Sequence, residues 1–233
     1  MNRTIIAALA LALVLPFAGA GARANGEDAP QSMAGLELVF AEDFESGKAD
    51  RWQPTDPAAW RVEKHLGTFV FHQFAQSKYT PPVRSPINIA WIRDLNVSDF
   101  IMQLQMRSTR EYNPRMDLCL FFGRQEPTHF YYAHMSVVPD PNHHSIFLVN
   151  GQPRVSIADF RSSGVLWGEV FHTVRVERFV EDGLIEVFWD DEEKPILRAH
   201  DKTLTWGGIG IGSFDDTGMF DNVMVWGKKV EKP

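Results

Sequence analysis

The chain predicts an all-β domain, a two-sheet antiparallel β-sandwich of about a dozen strands. Three observations carry that expectation. Apolar and polar residues alternate with period two in short runs, and no stretch keeps a helical period. Gly, Pro, Asn and Asp punctuate these runs at short intervals. The end of the chain reads as a glycine-rich buried strand over 208–214, a tight Asp215-Asp216-Thr217-Gly218 turn, and a closing strand over 219–226.

Taken in order, strands are expected at 36–41, 59–63, 68–74 and 87–92. Residues 100–107 alternate clearly, with Phe100, Met102, Leu104 and Met106 on one face and Gln103, Gln105 and Arg107 on the other. Further strands follow at 116–123, 128–138 and 145–149. Asn150-Gly151 then turns the chain into 154–157, since both residue types accept positive φ. Strands 171–179 and 184–189 form a hairpin through Glu181-Asp182-Gly183. The acidic run 190–195 is a solvated turn leading to 196–199. No repeat or linker divides residues 35–233, so a single domain is expected there, preceded by a polar, disordered lead-in at 25–34.

Residues 1–24 read as an export signal. Arg3 precedes an apolar run at 4–18 broken by Pro16, and Ala22-Arg23-Ala24 has the small-x-small form of a cleavage site. The run is shorter than the ~20 residues a spanning helix needs, so no membrane insertion is expected after cleavage. The product should be periplasmic or secreted. The net charge of −7 offers no basic excess for releasing counterions from a phosphate backbone, which argues against nucleic acid as partner. Cys119 is the single cysteine, so no internal disulfide can form. Its apolar surroundings, Leu118-Cys119-Leu120-Phe121-Phe122, suit a buried thiol.

Chemistry-bearing residues concentrate between Asp117 and His144. On 130–136, period two places Tyr132, His134 and Ser136 on one face, and Tyr131, Ala133 and Met135 on the core face. The first set is a polar-aromatic stripe suited to a sugar, whose C–H face stacks on rings while its hydroxyls need donors and acceptors. Asp117, Arg124 and His143 lie on neighbouring segments. His72, Arg84 and Glu177 are further candidates for the walls of a binding groove; Glu177 could equally pair with Arg175 on a solvent face. The sequence has no G-x-S-x-G, H-E-x-x-H or zinc-type Cys/His spacing.

The Asp43-Phe44-Glu45 opening followed by Trp52, together with the Gly210-Ile211-Gly212-Ser213-Phe214-Asp215 and Phe220-Asp221-Asn222-Val223 close, resembles the concanavalin A-like lectin/glucanase jelly rolls. It is similar in particular to secreted bacterial sugar-active domains near the 3-keto-disaccharide hydrolase group. Phe121-Phe122-Gly123-Arg124 resembles that group's x-F-R segment, although the Asn-Ser-Gly that usually precedes it is absent. The E-x-D-x-x-E pattern of two-carboxylate glucanases is also absent. The resemblance covers residues 36–228. It implies a concanavalin A-like jelly roll with a sugar groove on the concave sheet and a poly- or oligosaccharide partner. A monomer is expected.

On that footing the chain is expected to be a glycan-degrading enzyme, a glycoside hydrolase or polysaccharide lyase. His134, Tyr132 and Asp117 would be catalytic, and Arg124, His72, Arg84, His143 and Glu177 substrate-binding. The alternative is a non-catalytic, lectin-like carbohydrate-binding domain. In related sandwiches a structural calcium sits where the termini meet, which would place Ca2+ among Glu42, Asp43, Glu45 and Asp221; no organic cofactor is expected. The export signal makes one direct prediction. Intact mass of exported material should correspond to a chain starting at Asn25, and retention of Met1 would contradict it.

Overall fold

The computed structural model describes residues 29–190 and 193–232. The export segment and residues 25–28 of the lead-in lie outside the described residues, as do Asp191 and Glu192 of the acidic turn. In chain order the strands are β1 (Ser32–Met33), β2 (Leu36–Glu42), β3 (Trp52–Pro54), β4 (Trp60–His65), β5 (Thr68–Gln73) and β6 (Asn88–Ser108). They continue with β7 (Asp117–Glu126), β8 (His129–Ser136), β9 (Ser145–Asn150), β10 (Val155–Ser156) and β11 (Ala158–Arg161). The last are β12 (His172–Phe179), β13 (Leu184–Trp189), β14 (Leu197–His200), β15 (Gly207–Ser213) and β16 (Gly218–Lys229). All pairings are antiparallel, as the sequence predicts. Among the described residues no helix is long and apolar enough to cross a membrane.

Strand β6 organises both layers. Its first half pairs with β3 and β15, and the front sheet runs on through β7, β8, β9 and β10. Its second half pairs with β12 and β16. The back sheet extends on one side through β13, β14 and β11, and on the other through β16 to β2 and β5. The sequence suggested two strands, 87–92 and 100–107, because the exposed pair Arg93-Asp94 interrupts the apolar pattern. One continuous strand spans both, with Asp94 at φ 54 inside it.

The two sheets bury one core between them. Leu118, Leu120 and Phe122 of β7, Tyr131 and Ala133 of β8, and Ile209 and Ile211 of β15 meet Leu104, Met106, Val174, Val176, Phe220 and Val225 of the back sheet. β2 pairs with the last strand, β16, with Val223 opposite Glu42. Residues 29–34 of the expected disordered lead-in are ordered. β1 pairs with β2, Ala29 packs against Leu36, Ile101, Met224 and Trp226, and the Trp226 indole donates to the Pro30 carbonyl at 2.6 Å. That buried indole needs an acceptor, and the lead-in supplies it.

A bulge at Gly123 matters for the site. The register of β7 on β8 shifts between Phe122 and Glu126. Phe122 faces the core, and a Cβ on Gly123 (φ +66) would also point inward, at Tyr131 and Leu204. The extra residue turns Arg124 to the outer face. At Gly212 (φ +153) a Cβ would lie 1.9 Å from the backbone oxygen of Asn88. Gly212→Ala is therefore expected to lower unfolding free energy in denaturant by on the order of 3 kcal/mol or more. A change under about half a kcal/mol would show that β6 and β15 are not so tightly apposed.

Candidate functional site: the outer face of the front sheet

Alternation puts Ile89 and Trp91 of β6, Cys119 and Phe121 of β7, Phe130 and Tyr132 of β8, and Phe147 and Val149 of β9 together on the outer face. Between them runs β15, whose Gly210 presents only hydrogen there. A Cβ at Gly210 would come within 2.8 Å of the Trp91 ring, so the indole lies across that strand. The predicted faces of 130–136 are observed, but the outer face is not an open stripe. Tyr132 is fully buried, and His134 and Asp117 are each 1% exposed.

The cover comes from three places. Val83, in the connection from β5 to β6, packs on the outer cluster. Phe214 stacks on His134 with ring centroids 6.2 Å apart. Arg154 donates to the Tyr132 hydroxyl at 2.6 Å and to the Asn142 carbonyl at 3.0 Å, while its guanidinium lies over Phe147 and Phe214. An unpaired buried hydroxyl costs about 1–3 kcal/mol, so Arg154 stabilises the very tyrosine it seals.

Beneath that cover the sequence-predicted trio does converge. His134 Nε2 lies 3.2 Å from Asp117 Oδ2, and Cys119, directly opposite His134, approaches Asp117 Oδ1 at 3.6 Å. Asp117 also accepts from the Phe214 amide at 3.0 Å, while its own amide donates to Asp216. Burial works to raise the Asp117 pKa, yet the charge of His134 and the Phe214 amide hold it below the ordinary carboxylate value. Burial, reinforced by the Asp117 charge, pushes the Cys119 thiol well up, so it is not a poised nucleophile. Burial likewise drives Tyr132 well above its ordinary value against the opposing charge of Arg154. His143 stands over this group with its ring 5.4 Å from that of His134, held by Asp140 at 2.8 Å.

Farther along the same face the surface opens. A cleft of 240 Å³ is lined by Gln53, Thr55, Tyr79, Ser85, Trp91, Arg124 and Phe130, among others. A second, of 270 Å³, shares Gln53, Trp91 and Arg124 with it and continues past Asp94, Asn96 and Trp206. The Arg124 guanidinium sits 4.9 Å from the Trp91 ring centroid. Arg124 is thus separated from the Asp117 group by five to seven residues of β7, roughly 16–24 Å.

Other candidates fall elsewhere. His72 lies on β5, paired to β16 of the back sheet, with Nδ1 2.5 Å from Glu63; it lines neither cleft. Glu177 alternates with core-facing Val174 and Val176, so it points away from the core on the back sheet, where it pairs with Arg175 at 2.8 Å. Strand pairing thus sets both on the back sheet, away from the two clefts. Arg84 is exposed, and its carbonyl accepts from the Arg154 amide at 3.1 Å. The four proposed calcium acids do not bring three ligand atoms together; among the described residues that grouping belongs to Asp117, Cys119 and His134. Glu42 accepts from the Phe44 amide, Asp43 from Glu45, Glu45 from Thr68 and Phe69, and Asp221 from Asn222. Sequence reasoning did not single out Trp91, Tyr79, Gln53 or Arg154. Trp91 carried a usable signal, because its alternation partners Ala90 and Ile92 already fill the core.

No protein-family model matches this sequence, and no curated protein matches it. Solved structures do match in fold. A carbohydrate-binding module, CBM66, from Bacillus subtilis aligns over 76% of this chain and 95% of its own at 16% identity, with a TM-score of 0.54. Domain 4 of a GH43 extracellular arabinanase from Geobacillus stearothermophilus, solved with arabinotriose, aligns over 84% and 95% at 8% identity, TM-score 0.53. The winged bean acidic lectin, complexed with methyl-α-D-galactose, aligns over 82% and 99% at 10% identity, TM-score 0.52. The fold is that of the concanavalin A-like jelly rolls, in agreement with the resemblance of the end motifs.

One buried histidine beside the site makes a pH prediction. His144 is fully buried at φ 50, and burial, helped by the charges of His134 and Arg161, lowers its pKa to about 4. The unfolded chain binds this proton near pH 6.5 and the native one only near 4. Stability from this group is therefore complete above 6.5 and is lost as pH falls from 6.5 to 4, by on the order of 3 kcal/mol. His144→Asn, which tolerates the left-handed backbone, should flatten that part of the stability–pH curve relative to the parent chain. Parallel curves for the two would contradict it.

Proposed function

We propose that this chain is an exported saccharide-binding domain and that it holds a poly- or oligosaccharide in the Trp91–Arg124 cleft. One observation carries the reading. The cleft on the outer face sets the half-buried Tyr79 and the mostly covered rings of Trp91 and Phe130, 6% and 2% exposed, beside accessible side chains that donate and accept (Gln53, Thr55, Arg124), whereas the candidate acid–base groups lie beneath Arg154 and Phe214. A sugar needs both kinds of contact, C–H faces on rings and hydroxyls on polar groups. The solved relatives by fold include proteins described as binding saccharides, which supports this reading over unrelated ones.

A glycan-degrading enzyme is the second reading, favoured by the Asp117–His134 pair. It requires a reacting bond to reach a histidine that is 1% exposed, with Arg154 and Phe214 displaced.

A glycan array followed by titration with the best ligand tests the proposal. Tyr79→Ala and Arg124→Gln should each weaken binding about 10-fold, the loss of roughly 1.4 kcal/mol expected for one stacking or hydrogen-bonding contact, with no products formed. His134→Gln should leave the affinity unchanged. Product formation abolished by His134→Gln would overturn the binding reading in favour of the enzyme.

A further inference from the structure

We infer that Asp117, Cys119 and His134 form a binding site for a borderline-soft divalent transition ion such as Zn2+, independent of the saccharide cleft. The three residues supply one oxygen, one sulfur and one nitrogen donor, and these ligand atoms all lie within 4.8 Å of one another. A tetrahedral ion bound at ~2.0–2.2 Å to N and O and ~2.3 Å to S sets its ligands roughly 3.2–3.6 Å apart. The Asp117 carboxylate lies at 3.2 Å from His134 Nε2 through Oδ2 and at 3.6 Å from Cys119 Sγ through Oδ1, so a small rotation of the carboxylate would bring a single oxygen to this spacing.

An independent observation points to a missing partner. His134 is 1% exposed, and neither of its ring nitrogens makes a hydrogen bond; Nε2 has its 3.2 Å ion-pair contact with Asp117, while Nδ1 is left buried without a hydrogen bond. Buried polar atoms are rarely left so. Coordination of an ion between Nε2 and Asp117 would replace that off-geometry contact with bonds to both. Sulfur in the donor set excludes calcium and magnesium, which take oxygen ligands, and favours zinc and its neighbours.

The surroundings are those of a supported site. Asp117 is fixed from outside by the Phe214 amide, and its own amide is fixed by Asp216. The ring of His143 lies 5.4 Å from that of His134, and its side chain is 19% exposed, so among the rings around His134 it is the nearest with contact to solvent. Binding would convert the Cys119 thiol to a thiolate and take any proton from His134 Nε2, with the displaced protons released to water.

The test uses the full chain, stripped with chelator, dialysed and then titrated with Zn2+. One ion per chain is expected by elemental analysis and calorimetry. Cys119→Ser and His134→Gln should each weaken it by more than the ~10–100-fold that loss of an outer-shell partner brings, while His200→Ala, in an exposed His/Asp pair, should not. If a core variant fails to fold, the Co2+-loaded parent chain decides alone, since a cobalt–thiolate charge-transfer band is expected. Absence of that band, no stoichiometric Zn2+, or Zn2+ binding that survives Cys119→Ser and disappears in His200→Ala would each overturn the site.

Discussion

The front sheet is buried on both faces, and the rest of the molecule is arranged around that fact. A sandwich sheet ordinarily gives one face to the core and the other to water. Here Phe121, Tyr132 and Phe147 are as inaccessible on the outer face as Leu118, Leu120 and Ala133 are on the inner one. β15 makes this possible. Its isoleucines fill the core while Gly210 leaves room on the outside for the Trp91 indole. A side chain at Gly210 would collide with Trp91 and displace the floor of the cleft.

A doubly buried sheet needs a cover, and the cover has to be tied down. Asn88 does much of this. Its side chain accepts from the Ser77 amide at 2.7 Å and donates to Ser213 and to the Asp216 carbonyl, while Ser213 donates to Gln73. All of these side chains are buried, so each unmet bond would carry a full desolvation cost. The network joins the connection that carries Val83 and Ser85 to the turn that carries Phe214. Both the sealed Asp117 group and the open cleft therefore depend on the same polar contacts.

Much of the fold was legible in the sequence. Alternation gave the strands, the end motifs gave the jelly-roll fold, and the apolar run around Cys119 gave its burial. Alternation also assigned Tyr132 and His134 to the correct face. It assigns a residue to a face without saying what lies over that face. Arg154 is 22 residues from Tyr132, and Phe214 is 80 from His134, so no local pattern could reveal that they close over them. The placement of His72 and Glu177 on the back sheet was hidden for a related reason. Period two is the same on either sheet, and only strand pairing tells front from back. The Arg124 position depended on the bulge at Gly123, which reverses the parity of β7 at that point.

The most direct test of the account is amide hydrogen exchange with and without a bound oligosaccharide identified by array. If the open cleft is the binding surface, added protection should fall on residues 89–96, 123–127 and 206–208, with 132–145 unchanged. Protection centred on 132–145, around His134 and His143, would place the ligand under Arg154 and contradict the account.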